Sequence, residues 1–152
     1  MRATLSADTG CMLQRNLHRN PVAAAGRAGP PWRLLIESSN DTAMISDFTA
    51  FRDAGFQITL CDGPVDDASE CPLVRGAVCP FVAEADVVLF DRGSDRPYRS
   101  EVLAAIRASR PDLPVVVRSA VPPPALPDGC SSIRTTTSVR GQVSALRKAI
   151  ER

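Results

Sequence analysis

The stretch ADVVLFDRGSDRPYRSEVLAAIRASRPDLPVVVRSA, Ala85 to Ala120, decides the fold. Its first apolar run, Val87 to Phe90, ends in an aspartate, Asp91. A short polar loop follows, and Ser100 to Arg110 then reads as an amphipathic helix. Glu101 suits the positive N-terminal end of that helix, Arg107 and Arg110 suit its negative C-terminal end, and Pro111 stops it. A second apolar run, Val115 to Val117, leads into Arg118, Ser119 and Ala120. The unit is strand–helix–strand, with an acidic group at the mouth of its first strand. Runs that are apolar on both faces belong to strands buried under helices on each side.

The alternation continues in both directions. Arg33 to Glu37 is a short apolar strand, and Asn40 or Asp41 can cap the helix behind it. Met44, Ile45, Phe48 and Phe51 share one helical face, and Gly55 ends the helix. Phe56 to Cys61 is a second strand. Asp62 to Glu84 is irregular and rich in Gly, Pro, Asp and Cys. Pro122 to Pro127 is a rigid loop that cannot be helix or central strand. Ser132 to Thr136 reads as a weak fifth strand. Ser138 caps a last helix whose face is Val139, Val143, Leu146 and Ile150. Five strands alternating with helices make an α/β fold, a doubly wound parallel sheet with right-handed crossovers. An irregular Cys/Pro-rich segment stands where the second helix is expected.

The 152 residues suit one domain, and a hydrophobic fraction of 44% is enough for a core without metal or disulfide. Eighteen basic against 17 acidic residues leave a net charge of +1, which gives no footprint for nucleic acid or for an anionic membrane. No apolar run approaches the roughly 20 residues of a membrane span. The one histidine, His18, lies in a basic, acid-poor segment, residues 1–31, without apolar periodicity. That segment reads as a disordered tail, or as the product of a start before Met12, and residues 32–152 as the folded domain. With His18 outside it, histidine-based acid–base or metal chemistry has no place in the domain. Five cysteines at irregular spacing are a poor disulfide framework and fit a reducing, cytoplasmic compartment.

In doubly wound sheets ligands bind outside the carboxyl ends of the strands. The residues that fall there are Glu37, Ser38 and Ser39, then Asp91, then Ser119, then Thr136 and Thr137. They form a set of hydroxyls and carboxylates around Asp91, whose carboxylate has the chemistry to accept a phosphoryl group. Equally, an aspartate in this place starts a turn or caps a helix.

On these motifs the chain from Trp32 to Arg152 resembles the receiver domain of two-component response regulators, the CheY-like group of flavodoxin-like folds. ADVVLFD resembles the family's third strand, VVVRSA its fourth and ALRKAIER its closing helix. The resemblance implies the strand order 2-1-3-4-5. It puts Asp91 in the phosphoacceptor's place and Ser119 in that of the switch hydroxyl. The family's metal-holding acidic pair falls on Ser38 and Ser39, and its lysine near the end of strand 5 falls on Thr136. Two hydroxyls carry no charge to compensate Mg²⁺, and threonine offers none to phosphoryl oxygens. The resemblance therefore implies a degenerate receiver-like regulatory module, with no catalysis and no conventional phosphorylation. It would act on a protein partner through the faces around the last helix and the strand 4–5 side; a homodimer is one form of such contact.

The segment Cys61 to Phe81 carries readings of its own. Cys61, Cys71 and Cys79, with or without Cys130, offer thiolates for zinc or an iron–sulfur cluster, although their spacing fits no standard ligand pattern. The Cys-Pro dipeptides offer haem ligation, and Cys71 with Cys79 a redox-sensitive pair. Against these, buried cysteine serves as a small apolar residue. A nucleotide or FMN binder on a Rossmann-like sheet is a further alternative, through Ser38, Ser39, Asn40 and Thr42, but the loop after strand 1 has no glycine.

Overall fold

The computed structural model describes residues 31–64, 67–92, 98–121, 123 and 125–152. The tail expected over residues 1–31 lies, apart from Pro31, outside them. Five strands, β1 (Arg33–Glu37), β2 (Gln57–Cys61), β3 (Val87–Asp91), β4 (Val115–Ser119) and β5 (Cys130–Arg134), form one sheet. Every pairing is parallel and the order is β2-β1-β3-β4-β5, as expected. The helices are α1 (Asp41–Asp53), α2 (Pro80–Glu84), α3 (Arg99–Ser109) and α4 (Val139–Ile150).

Alternation along the central strands builds two cores. Leu34, Ile36, Val87, Leu89 and Val116 pack with Phe51, Phe56 and Leu146 under α1 and α4. Leu35, Val88, Phe90, Val115 and Val117 pack with Val102, Leu103 and Ile106 of α3 on the other face. Both faces of β3 are buried, so its apolar run is continuous. Asn40 is the α1 cap: its side chain accepts from the Ala43 amide at 3.1 Å. Arg107 of α3 holds the loop that follows the helix, donating to the carbonyls of Pro111 (2.7 Å) and Leu113 (2.5 Å).

Three details differ from the sequence reading. The irregular stretch after β2 holds a 3₁₀ turn, Ala68–Glu70, and ends in the five-residue α2, which Pro80 opens in the first turn where its missing N–H costs nothing. Strand 5 runs two residues earlier than Ser132 to Thr136. Its register sets Cys130 against Val115 and Arg134 against Ser119. The Thr137 amide then bonds the Arg134 carbonyl at 2.9 Å, so Thr136 sits in an exposed turn. Gly129, at φ +78°, makes the bend into β5. On α4, Leu146 is buried and Val143 and Ile150 pack on the core, but Val139 is 45% exposed and Gln142 is buried. Val139 is the first residue of the helix and stays open, and Gln142 takes the inward position. Between β4 and β5 no helix occurs among the described residues, which agrees with the proline-rich sequence there.

Candidate functional site

The carboxyl ends of β1, β3 and β4 bring Glu37, Asp91, Arg118 and Ser119 together, with Ser38 one residue beyond β1. Asp91 shares the parity of Val87 and Leu89, and Arg118 that of Val116, so both turn toward α1 and α4. Arg118 Nη2 donates to Asp91 Oδ2 at 2.9 Å, and Nη1 donates to Gln142 Oε1 at 3.2 Å. Nη1 also lies 2.7 Å from Asp47 Oδ2 of α1, a close ion pair off the hydrogen-bonding axis. Gln142 passes the chain on, donating to the Thr137 carbonyl at 2.8 Å. Arg118 is only 5% exposed. Burial alone would lower its pKa, but Asp91 and Asp47 outweigh that and raise it, so the guanidinium stays charged.

A second arginine fills the other side of the site. Arg99, the first residue of α3, donates to the Glu37 carboxylate and to the Asp91 carbonyl, and reaches the Glu37 carbonyl at 3.3 Å. Its guanidinium lies over the Phe90 ring, 4.8 Å from the centroid. Glu37 and Arg99 are both 2% exposed. Burial pushes the Glu37 carboxyl up to about 7, against the pull of Arg99; Asp91 and Asp62 add to the rise. Among the described residues Glu37 Oε1 has no hydrogen-bond donor. It lies against Gly63, whose φ is +71° and where a Cβ would collide with that oxygen. Glycine there meets two demands at once, the left-handed backbone and the close approach.

The expected residues divide. Ser38 is buried, and its Oγ donates to Asp91 Oδ2 at 3.1 Å while accepting from the Asn40 amide at 3.2 Å. Ser39 is exposed, so the inward pair after β1 is Glu37 and Ser38 rather than Ser38 and Ser39. Ser119 is buried, shares the parity of Val115 and Val117, and donates to the Val121 carbonyl at 2.7 Å. Thr136 stands off in the turn; the end of β5, paired with Ser119, is Arg134. Arg118, Arg99, Asp47 and Gln142 were not foreseen. For three of them the signal is present in the sequence as a polar residue in an apolar pattern, Arg118 inside a buried strand, Asp47 between Met44 and Phe51, and Gln142 beside Val143; Arg99, in a polar stretch, has none.

A hard divalent cation needs several carboxylate or carbonyl oxygens open to it. Here one carboxylate oxygen of Asp91, of Glu37 and of Asp47 faces a guanidinium, and among the described residues no group of three His, Cys, Asp or Glu could hold a metal ion. These residues do not fit Mg²⁺. Nor does the geometry gather Cys61, Cys71 and Cys79 into such a group. Cys79 is buried in the α3-side core, and Cys61, Cys71 and Cys130 pack against it. Burial raises the Cys130 pKa against a smaller opposing effect of Arg107, which makes that thiol less reactive.

No family model and no curated protein sequence matches the chain. Solved structures do. A protein of Burkholderia thailandensis assigned to pilus assembly (cpaE) superposes with a TM-score of 0.63 at 17% identity, over 80% of this chain and 99% of that one. A response-regulator receiver domain of Clostridium thermocellum superposes with a TM-score of 0.62 at 15% identity, over 79% and 94%. The fold is that of the response-regulator receiver domain. A CheY-like receiver domain from Methanospirillum hungatei agrees, with a TM-score of 0.57 at 12% identity, over 80% and 94%. No helix among the described residues is long and apolar enough to cross a membrane.

Proposed function

We propose that this receiver-like domain is a regulatory module that works by docking to a protein partner, without catalysis and without conventional phosphorylation of Asp91. The observation that carries the reading is the engagement of the Asp91 carboxylate: Oδ2 receives both Arg118 and Ser38. A receiver that accepts phosphate needs that group open to a metal that draws the phosphoryl oxygens in; here internal hydrogen bonds and a guanidinium take up its Oδ2. Docking around the last helix and the strand 4–5 side is supported by two apolar residues left open at that end, Val121 (75% exposed) and Val139 (45%). The similarity to a protein assigned to pilus assembly fits a module that joins an assembly rather than one that relays phosphate. A cytoplasmic setting goes with this role.

The test is treatment with acetyl phosphate and Mg²⁺, followed by intact mass. The expected result is no phosphoryl increment, with the Asp91→Asn variant indistinguishable from wild type. Stoichiometric modification that Asp91→Asn abolishes would overturn the reading.

A further inference from the structure

We propose that Arg118 is a resident cation: its guanidinium occupies the acidic mouth of the sheet in place of a divalent ion and keeps such an ion out. The proposal deepens the docking reading and rests on it for its use. The metal experiment below, however, succeeds or fails whether or not a phosphoryl group reaches Asp91.

The geometry is specific. A charged side chain inside a buried strand survives only where its charge and donors are met. Arg118 meets Asp91 through Nη2 at 2.9 Å, and Asp47 through Nη1 at 2.7 Å. Its remaining contact, to Gln142 Oε1, is neutral. The planar fork of arginine suits several fixed oxygens at once, which a lysine on a flexible stem would not do. The two carboxylates that face Arg118, those of Asp47 and Asp91, bring two negative charges against its one positive charge. The net is one negative charge, too little to draw in a doubly charged cation beside a guanidinium. Without Arg118 the same pair carries two, which matches one divalent ion. Arg118 also does what a small ion cannot. It joins β4 to β3, to α1 through Asp47 and to α4 through Gln142, and the chain runs on to the Thr137 carbonyl. The site is thereby held in one arrangement, with no ligand needed to set it.

The probe is Mn²⁺, followed by its effect on water proton relaxation and on the melting temperature. Wild type is expected to show no saturable binding up to about 10 mM and no rise in Tm. Arg118→Ala is expected to gain a saturable site and a Mn²⁺-dependent rise in Tm of several degrees, as ligand linkage requires. Adding Asp91→Asn to that variant should remove both gains, which places the ion. Folding of Arg118→Ala only when Mn²⁺ is present counts as the same gain, and Arg118→Gln, which keeps more of the volume, serves as the second variant. Saturable Mn²⁺ binding by wild type that Asp91→Asn abolishes would overturn the proposal. So would folded Arg118→Ala and Arg118→Gln that bind Mn²⁺ no better than wild type.

Discussion

Glu37 carries a charge that the fold itself displaces. Its carboxyl titrates near 4.5 in the unfolded chain and about 7 in the fold, because burial outweighs the pull of Arg99. The folded form therefore binds more protons between those values, and the contribution of this group to stability is full below pH 4.5 and lost as pH rises through 7. The shift corresponds to about 3 kcal/mol. Urea unfolding at about pH 5 and about pH 8 should show wild type losing stability at the higher pH, and Glu37→Gln flattening that slope. A slope unchanged in Glu37→Gln would show that other groups carry it. Replacing Arg99 by Met should hurt more at the higher pH, where it strands an ionised carboxylate; removing one partner of a buried pair costs about 3–5 kcal/mol. In the sequence Glu37 is visible as the last residue of a strand, at the sheet mouth where ligands bind. Its pairing with Arg99, 62 positions away, follows from α3 beginning one residue earlier than the helical pattern alone indicates.

At the scale of elements, α4 shows how far a pattern reads. The face Val139, Val143, Leu146 and Ile150 places the helix and its cap correctly: Ser138 accepts from the Gly141 amide at 3.3 Å. It does not say which end of the face is left exposed. Leu146 is fully buried, so Leu146→Ala should cost about 2–5 kcal/mol in chemical denaturation. Val139→Ala, at an exposed first helical position, should stay within about 0.5 kcal/mol. Equal losses at the two positions would mean that the helix lies differently on the sheet. Strand 5 teaches the same lesson from the other side. The threonines after it, Thr135 and Thr136, have the higher β-propensity, yet the ladder with β4 ends at Arg134, because register is set by the neighbour that pairs and not by the residues that like strands.

Across the whole molecule, two cores share one sheet. Leu34 and Ile36 belong to the α1/α4 core and Leu35 to the α3 core, so β1 cannot be lost from one side alone. Trp32 packs against the first of these cores, 6.1 Å from the Phe56 ring. Its fluorescence and the far-ultraviolet circular dichroism of the whole chain should therefore unfold at one denaturant midpoint; two separate midpoints would show the faces coming apart independently. The sequence by itself determined the alternation of strands and helices, the apolar central strands, the proline-rich passage from β4 to β5 and the position of Asp91 at a strand mouth. These follow from local periodicity and turn chemistry, which act between near neighbours. Only the tertiary structure decided what surrounds Asp91. Arg118 and Gln142 are 24 positions apart and Arg118 and Asp91 are 27 apart, and they meet because β4 lies beside β3 while α1 and α4 cover the same face. Ion pairing in a buried site depends on which charges packing leaves face to face, and no spacing along the chain encodes that.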